Sequence, residues 1–435
     1  MAVTLERIMI SKQKQDVDLL IKKASHVLPV EVFLVYGCMH TGGIETLILR
    51  LSDYLVKSGF STTLFCTPGG ELQSSLNAKV NVKNYNDIDD LVEIVKSNPC
   101  KNSADRHLVI LSFDATSAAR ALMVEMAMAK LVQVVHITGV FHPKWYFMLG
   151  QPLDRILLNY LLSYAIGKKN IFFMNEECRI EHAKKWRSDL SICPVLPLPI
   201  SLAALLWTPL VSSSVRIVSI GRLVDFKTYN LGAARIVRDC LDRGLSVSWD
   251  IYGYGPLEAQ MMAEVKKSGV SQHVRLMGKL KYEDFSVTVA TYDLFVGMGT
   301  AAVEAAIVGV PTICAVVEEA TGCYGYFCDL PFGNVGEAME NTSLIEIADM
   351  VESFSSLDID GRRLISGKCV TAAKLYGMST FMESLMAMAA SCGSSSNWIR
   401  KYFIGKFYCL MTDGLLAKVI YGRGLKTKIM RIFRS

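Results

Sequence analysis

Between Val215 and Pro311 the chain sets two cations, a glycine turn and one isolated carboxylate, residue types that hold an anion beside hydroxyl groups. The cations are Arg222 and Lys227, in the loop Gly221-Arg-Leu-Val-Asp-Phe-Lys227 after the strand-like run Val215-Arg-Ile-Val-Ser-Ile220. Arginine offers a planar fork for two phosphate oxygens, and lysine a point charge on a flexible stem. The carboxylate is Glu304, the only charged residue from Leu294 to Val317. In so apolar a stretch a carboxylate is costly unless it is paired or hydrogen-bonded. Glu304 therefore either bonds neighbouring backbone or meets the hydroxyls of a ligand. Just before it, Gly297-Met-Gly299-Thr300-Ala301 reads as the step from a strand into a helix. Backbone N–H groups of Gly299, Thr300 and Ala301 there suit phosphate oxygens. Taken singly, Arg222 and Lys227 describe a solvated loop and Glu304 a structural carboxylate. Their order is what points to a site.

The elements that must position these groups alternate between strand and helix patterns, which predicts an α/β protein with parallel sheets. In the first half, apolar strands are expected near 32–36, 62–66, 108–112, 131–137, 170–174 and 193–196. Ile44, Leu47, Ile48, Leu51 and Leu55 recur at helical spacing between the first two. Leu196-Pro-Leu-Pro199 stiffens the chain and closes this half, and Val211-Ser-Ser-Ser214 reads as a flexible lead-in. At 435 residues the chain exceeds one ordinary core. The expected division is an extension over 1–30, Rossmann-like domains over 31–200 and 201–390, and a hinge with a basic tail over 391–435. Arg222 and Lys227 lie past a strand end, where ligands bind in open parallel sheets.

Three features in this order, Gly-Arg-Leu…Lys, a Gly253-Tyr-Gly255-Pro256 turn, and a glycine loop with Glu304 before Gly309-Val-Pro311, resemble the donor half of retaining glycosyltransferase family 4. The pattern is similar to that of bacterial surface-polysaccharide glycosyltransferases. The first half fits too, with Val32-Phe-Leu-Val-Tyr36 running into Gly37-Cys-Met-His-Thr-Gly42-Gly43-Ile44-Glu45. The resemblance spans roughly residues 31 to 390. It implies the GT-B architecture, two Rossmann-like doubly wound domains facing a cleft, here followed by a basic amphipathic C-terminal tail. It implies transfer of a sugar from a nucleotide-diphosphate sugar to a glycan or lipid-linked acceptor, with retention of configuration. Arg222 and Lys227 would hold the diphosphate with Gly299, Thr300 and Ala301, and Glu304 would accept the ribose hydroxyls. Gly42 and Gly43, lacking a Cβ, would let backbone approach the diphosphate. The family carries a histidine against the transferred sugar, for which His136 and His142 are the candidates, with His142 preferred because it lies beyond the strand end. Trp145 and Tyr146 would stack on a sugar ring or fill the loop. One departure stands out. The family's Glu-x7-Glu pattern has Val296 here in place of the first Glu.

Two cations at the diphosphate replace a divalent metal, and no Asp-x-Asp pair is present to hold one, so neither metal nor cofactor is expected. The 12 cysteines are scattered singly without a Cys-x-x-Cys pair, the pattern of reduced thiols. No apolar run suits a membrane span and no signal-peptide pattern opens the chain, so a cytoplasmic protein is expected.

Of the net charge of +5, the segment 398–435 carries nine basic residues against Asp413, leaving the remainder acidic. Mixed with Trp398, Tyr402, Phe403, Phe407 and Tyr408, this charge suits an anionic membrane surface and a peripheral location on the inner face of the cell membrane. So many bulky apolar residues do not suit nucleic acid, whereas a helix packed on a domain would show the same pattern. Two other functions fit parts of the sequence. A noncatalytic GT-B protein binding nucleotide or a partner would explain Val296. A NAD-dependent oxidoreductase would use Gly297-Met-Gly299-Thr-Ala-Ala302 as its fingerprint with Glu318 as the ribose acid, leaving Arg222 and Lys227 unexplained.

Overall fold

The computed structural model describes residues 30–40, 43–97, 107–129, 131–141, 162–201, 203–209 and 214–391, then 401, 403–406 and 408–409. Described residues up to Pro197, together with those from Phe381 on, make one compact unit, and Leu198–Thr380 makes the other.

The first unit is built on six parallel strands, β1 (Val30–Cys38), β2 (Ser61–Thr67), β3 (Asn81–Asn84), β4 (His107–Ser112), β5 (Gln133–Val140) and β6 (Ile171–Phe173). They lie in the order β3-β2-β1-β4-β5-β6. Val32, Phe33, Leu34 and Val35 are wholly buried, as a central strand covered on both faces requires. Helix α1 (Gly43–Lys57) buries the five residues whose spacing predicted it. Helix α2 spans Ile88–Ser97. Helix α3 (Ala115–Met128) starts at Asp114, whose carboxylate accepts from Ser117 N–H in a capping box. Its alanines at 115, 118, 119 and 121 are buried in the core. Helix α4 (Glu176–Trp186) is capped by Asn175 and ends at Arg187 in the left-handed region.

Two differences from the expected strands have local causes. The run 193–196 makes only a bridge from Val195 to Phe173, because Pro194 and Pro197 lack the N–H a ladder needs. Strand β3, Asn-Val-Lys-Asn, shows no apolar alternation because it is an edge strand.

In the second unit the strands are β7 (Ser214–Ile220), β8 (Ser246–Tyr252), β9 (Val274–Gly278), β10 (Leu294–Gly297), β11 (Thr312–Ala315), β12 (Gly322–Tyr326) and β13 (Ile345–Glu346). Their order is β13-β12-β11-β10-β7-β8-β9, with β12 antiparallel to both its neighbours and the other pairs parallel. Helices α5 (Tyr229–Asp242), α6 (Glu258–Lys267), α7 (Phe285–Val289), α8 (Thr300–Val308), α9 (Ile347–Ser355), α10 (Ile359–Lys374) and α11 (Met378–Ser391) complete the succession. Both sheets reverse strand order beside their first strand, so each has a switch point: β1 with β4, and β7 with β10. At the second, buried Ser219 donates to the Val296 carbonyl at 2.6 Å and accepts from Trp249 Nε1 at 2.9 Å, fixing β7 against β10.

The chain returns to the first unit near the start of α11, where Phe381 meets Phe172 edge-on. The tail's described residues are not a free arm: Lys401, Tyr408 and Cys409 are buried in the first unit. Most of the basic tail lies outside the described residues. Among the described residues no helix is long and apolar enough to cross a membrane.

Candidate functional site

The second unit's switch point gathers most of the expected groups. The loop after β7 is held to the turn after β8 by Gly221 N–H to the Tyr252 carbonyl at 2.9 Å and Leu223 N–H to the Tyr254 carbonyl at 3.0 Å. Leu257 N–H returns a bond to the Leu223 carbonyl. This contact explains the glycines: a Cβ on Gly253 would strike the Gly221 carbonyl oxygen, and one on Gly255 the Leu223 carbonyl oxygen. At its far end the loop is tied by Glu318 N–H to the Phe226 carbonyl at 2.9 Å.

Arg222 is exposed and Lys227 half-buried. The Lys227 amine lies over Gly221, so close that a Cβ there would sit 3.0 Å from it. Burial, and secondarily the Arg222 charge, bring the Lys227 pKa down to about 8. Neither side chain forms an ion pair with an acid among the described residues. Two cations thus stand at one strand end, neither of them paired with an acid among the described residues although Asp225 lies in the same loop, a configuration that favours a bound anion.

On the neighbouring strand, Gly299 opens α8 with φ 71°, a conformation that glycine adopts without strain. Its N–H is already used, donating to the Val335 carbonyl at 2.6 Å. That corrects the expectation for Gly299: its role is the turn, not a phosphate contact. Thr300 and Ala301 have backbone N–H groups with no carbonyl partner among the described residues, and no side chain caps the helix. They retain the character of an anion-receiving helix N-terminus. Glu304, one turn on, is 8% exposed and accepts from the Tyr282 hydroxyl at 3.3 Å. Tyr282 carries no motif signal, and its part in the site was not legible in the sequence. Val296 is wholly buried in the apolar core between β10 and its neighbours. A carboxylate at that position would face hydrocarbon.

The first unit presents a different picture. Gly43 is at the start of α1, while Gly42 lies outside the described residues. Beside it Tyr36 donates to Glu45 at 3.1 Å, and burial followed by the charges of Asp114 and Glu45 pushes its hydroxyl pKa up. His136, expected as one candidate for the sugar contact, is 2% exposed in β5. Its Nε2 is 2.9 Å from Ser112 Oγ, and its Nδ1 is 3.8 Å from Glu125. Glu125 accepts from Lys401 at 2.6 Å. Burial, with the Lys401 charge second, brings the His136 pKa down to about 3, so the ring is neutral. His136 is thus a buried core residue, bonded through Nε2 to Ser112, with its Nδ1 left without a hydrogen bond among the described residues. His142, Trp145 and Tyr146 lie outside the described residues.

No protein-family model matches the sequence, and no curated protein matches it. Solved structures do match the fold. A glycosyltransferase from Rickettsia africae aligns with TM-score 0.61 at 12% identity, covering 83% of this chain and 98% of its own. The fold is GT-B. Staphylococcus aureus TarM, solved as a mutant in complex with fondaparinux, α-GlcNAc-glycerol and UDP, aligns with TM-score 0.55 at 9% identity, covering 84% and 100%. The lipopolysaccharide outer core galactosyltransferase WaaB gives 0.55 at 13%, covering 83% and 99%. At such identities what is shared is the fold.

Proposed function

We propose that this chain is a retaining glycosyltransferase that moves a sugar from a nucleotide-diphosphate sugar to a glycan or lipid-linked acceptor. One observation supports this most: unpaired Arg222 and Lys227 stand at the switch point where α8 offers the Thr300 and Ala301 amides and Glu304. The leaving diphosphate gains negative charge as the glycosidic bond breaks, and prepositioned cations and amides stabilise it most at that moment. Two cations in this role replace a divalent metal. Glu304, oriented by Tyr282, accepts ribose hydroxyls. With His136 closed in the core, His142 is the histidine left to contact the transferred sugar, and Gly43 with Gly42 lets backbone approach the diphosphate.

TarM was solved with UDP and α-GlcNAc-glycerol, and WaaB is named for the lipopolysaccharide outer core. These neighbours favour a uridine nucleotide and a surface-polysaccharide acceptor here. The basic residues of 398–435 other than Lys401 suit an anionic membrane surface, and with it a peripheral position on the cytoplasmic face. Lys401 is not among them, since it is buried on Glu125.

A noncatalytic nucleotide-binding reading is favoured by one specific feature, the buried Val296 where the family carries a sugar-contacting Glu. The oxidoreductase reading loses ground, because the glycine fingerprint follows β10 and not the unit's first strand. The test is a panel of nucleotide sugars and NAD, scored for thermal stabilisation and then for hydrolysis or transfer, with and without chelator. Stabilisation by nucleoside diphosphates with metal-independent turnover is expected. Binding without turnover would select the noncatalytic reading, and stabilisation by NAD alone would overturn both.

A further inference from the structure

Beyond β11 the chain runs Val316-Val317-Glu318-Glu319-Ala320-Thr321, and its two acids are used differently. Glu319 turns its carboxylate onto its own loop, accepting from Ala320 N–H at 2.9 Å and from Thr321 N–H at 3.2 Å. Glu318 is exposed, and its carboxylate has no hydrogen bond or ion pair among the described residues. Its backbone stands at φ 60°, in the left-handed region that a non-glycine residue holds only at a cost.

The surrounding bonds impose that conformation. Val317 N–H donates to the Gly336 carbonyl at 2.7 Å, Glu318 N–H to the Phe226 carbonyl at 2.9 Å, and Glu319 N–H to the Val316 carbonyl at 3.2 Å. Behind them the Ala320 carbonyl rests on Gly232 of α5, where a Cβ would overlap it. The bond to Phe226 is the informative one. Phe226 precedes Lys227, so Glu318 is tied to the cation loop itself. Strands β7, β10 and β11 are neighbours and parallel, so the turns that carry Lys227, Thr300 and Glu318 open at one end of the sheet.

We propose that Glu318 is a specificity residue of the donor site, a carboxylate that accepts hydrogen bonds from hydroxyls of the transferred sugar. The proposal rests on the reading of this site as one for a nucleotide-diphosphate sugar. A carboxylate does not serve a phosphate, because like charges repel. The part of such a ligand that it can serve is the neutral one, and a sugar carried on the diphosphate offers hydroxyl donors next to the groups that Arg222 and Lys227 hold. Glu304 lies one turn inside α8 and is buried, whereas Glu318 stands exposed on a rigid turn, the arrangement that fixes the position of a hydrogen-bonding group before the ligand arrives. The strain at Glu318 is then retained for recognition, since glycine would fit the same turn without it.

This role has a sign that a structural one lacks. The Glu318 charge opposes the diphosphate alone and favours the diphosphate that carries its sugar. The test titrates the full chain with the nucleotide sugar that stabilises it most, from a panel of UDP-, GDP- and dTDP-sugars, and with the matching nucleoside diphosphate. For Glu318→Ala, affinity for the nucleotide sugar should fall by about tenfold or more, the effect of losing a hydrogen bond to a charged group. Preference over sugars that differ in one hydroxyl should shrink with it. The nucleoside diphosphate should bind as well as before or more tightly. Glu318→Gly should melt no lower than the native chain, because glycine holds the left-handed conformation freely. Equal losses for both ligands, an unchanged affinity for the nucleotide sugar, or a lower melting temperature for Glu318→Gly would overturn the proposal. A native chain that binds no nucleoside diphosphate would remove the donor-site reading and this proposal with it, an outcome told apart from the others without any variant.

Discussion

Lys227, half-buried, and Lys401, buried, lie one in each unit, and the charges around them differ. Lys401 is 4% exposed and lies 2.6 Å from the buried carboxylate of Glu125. Lys227 has only another cation, Arg222, acting on it, and its pKa falls to about 8. A buried charge with its counter-charge built into the chain belongs to the structure. One left without a counter-charge at a strand end is poised to receive one. The carboxylates differ as well: Glu125 answers a lysine of its own unit, whereas Glu304 accepts from the hydroxyl of Tyr282, a residue 58% exposed.

The largest effect that would break this comparison is expected at the candidate site. Arg222→Ala or Glu304→Ala should lower nucleotide-sugar turnover by about a hundredfold or more, because contacts that tighten in the transition state outweigh those of the ground state. Circular dichroism and melting should show the fold retained, and folded variants with near-native kinetics would remove both residues from the site.

On the paired side the effect is on stability. Lys401→Ala leaves Glu125 buried without its cation, a change that costs on the order of 3–5 kcal/mol. Replacing both, as Lys401→Met with Glu125→Leu, should restore most of the loss, since an apolar pair of similar volume leaves no orphan charge. Urea unfolding of the single and double variants beside the native chain measures this directly. A mild single variant would mean that the segment around Lys401 is not held by its pair.

Lys227 should also make anion binding depend on pH. Below about 8 it is charged and nucleoside diphosphate binds fully; above that, affinity should fall by up to roughly tenfold per pH unit as the proton is lost. Lys227→Arg should flatten the profile, because guanidinium keeps its proton. Stability moves the other way. Folding holds this lysine below its ordinary 10.5, so between about 8 and 10.5 the unfolded chain binds more protons and stability should rise with pH. Calorimetric titration from about pH 6.5 to about 9.5, spanning the shifted value, tests the binding half.

The smallest effect sharpens the role of Tyr282. Tyr282→Phe removes one hydrogen bond to Glu304, worth about 1 kcal/mol, and should raise the KM for the nucleotide sugar a few-fold with kcat nearly unchanged. An equal loss in kcat would place the tyrosine nearer the reacting bond.

Much of the second unit was legible because its information is local. Alternating apolar runs define β7, β8 and β10, and groups that follow successive parallel strands share one end of the sheet whatever the packing details. The order Arg222, Lys227, Gly299, Glu304 along the chain therefore already implied a neighbourhood in space. Helix α1 followed from five residues at helical spacing for the same reason. What tertiary structure alone decided are contacts between segments distant in sequence. Nothing near Gly299 announces that Val335 will occupy its N–H. Nothing near His136 announces that Ser112 and Glu125 will enclose it, or that Lys401, 276 residues beyond Glu125, will complete the group. Helix α10 packs on the turn after β12, a contact that neither segment announces. Sequence sets which face of an element is apolar and which residues follow each strand. Which polar groups meet across the core depends on how those faces close, and that is settled only when the whole unit has folded.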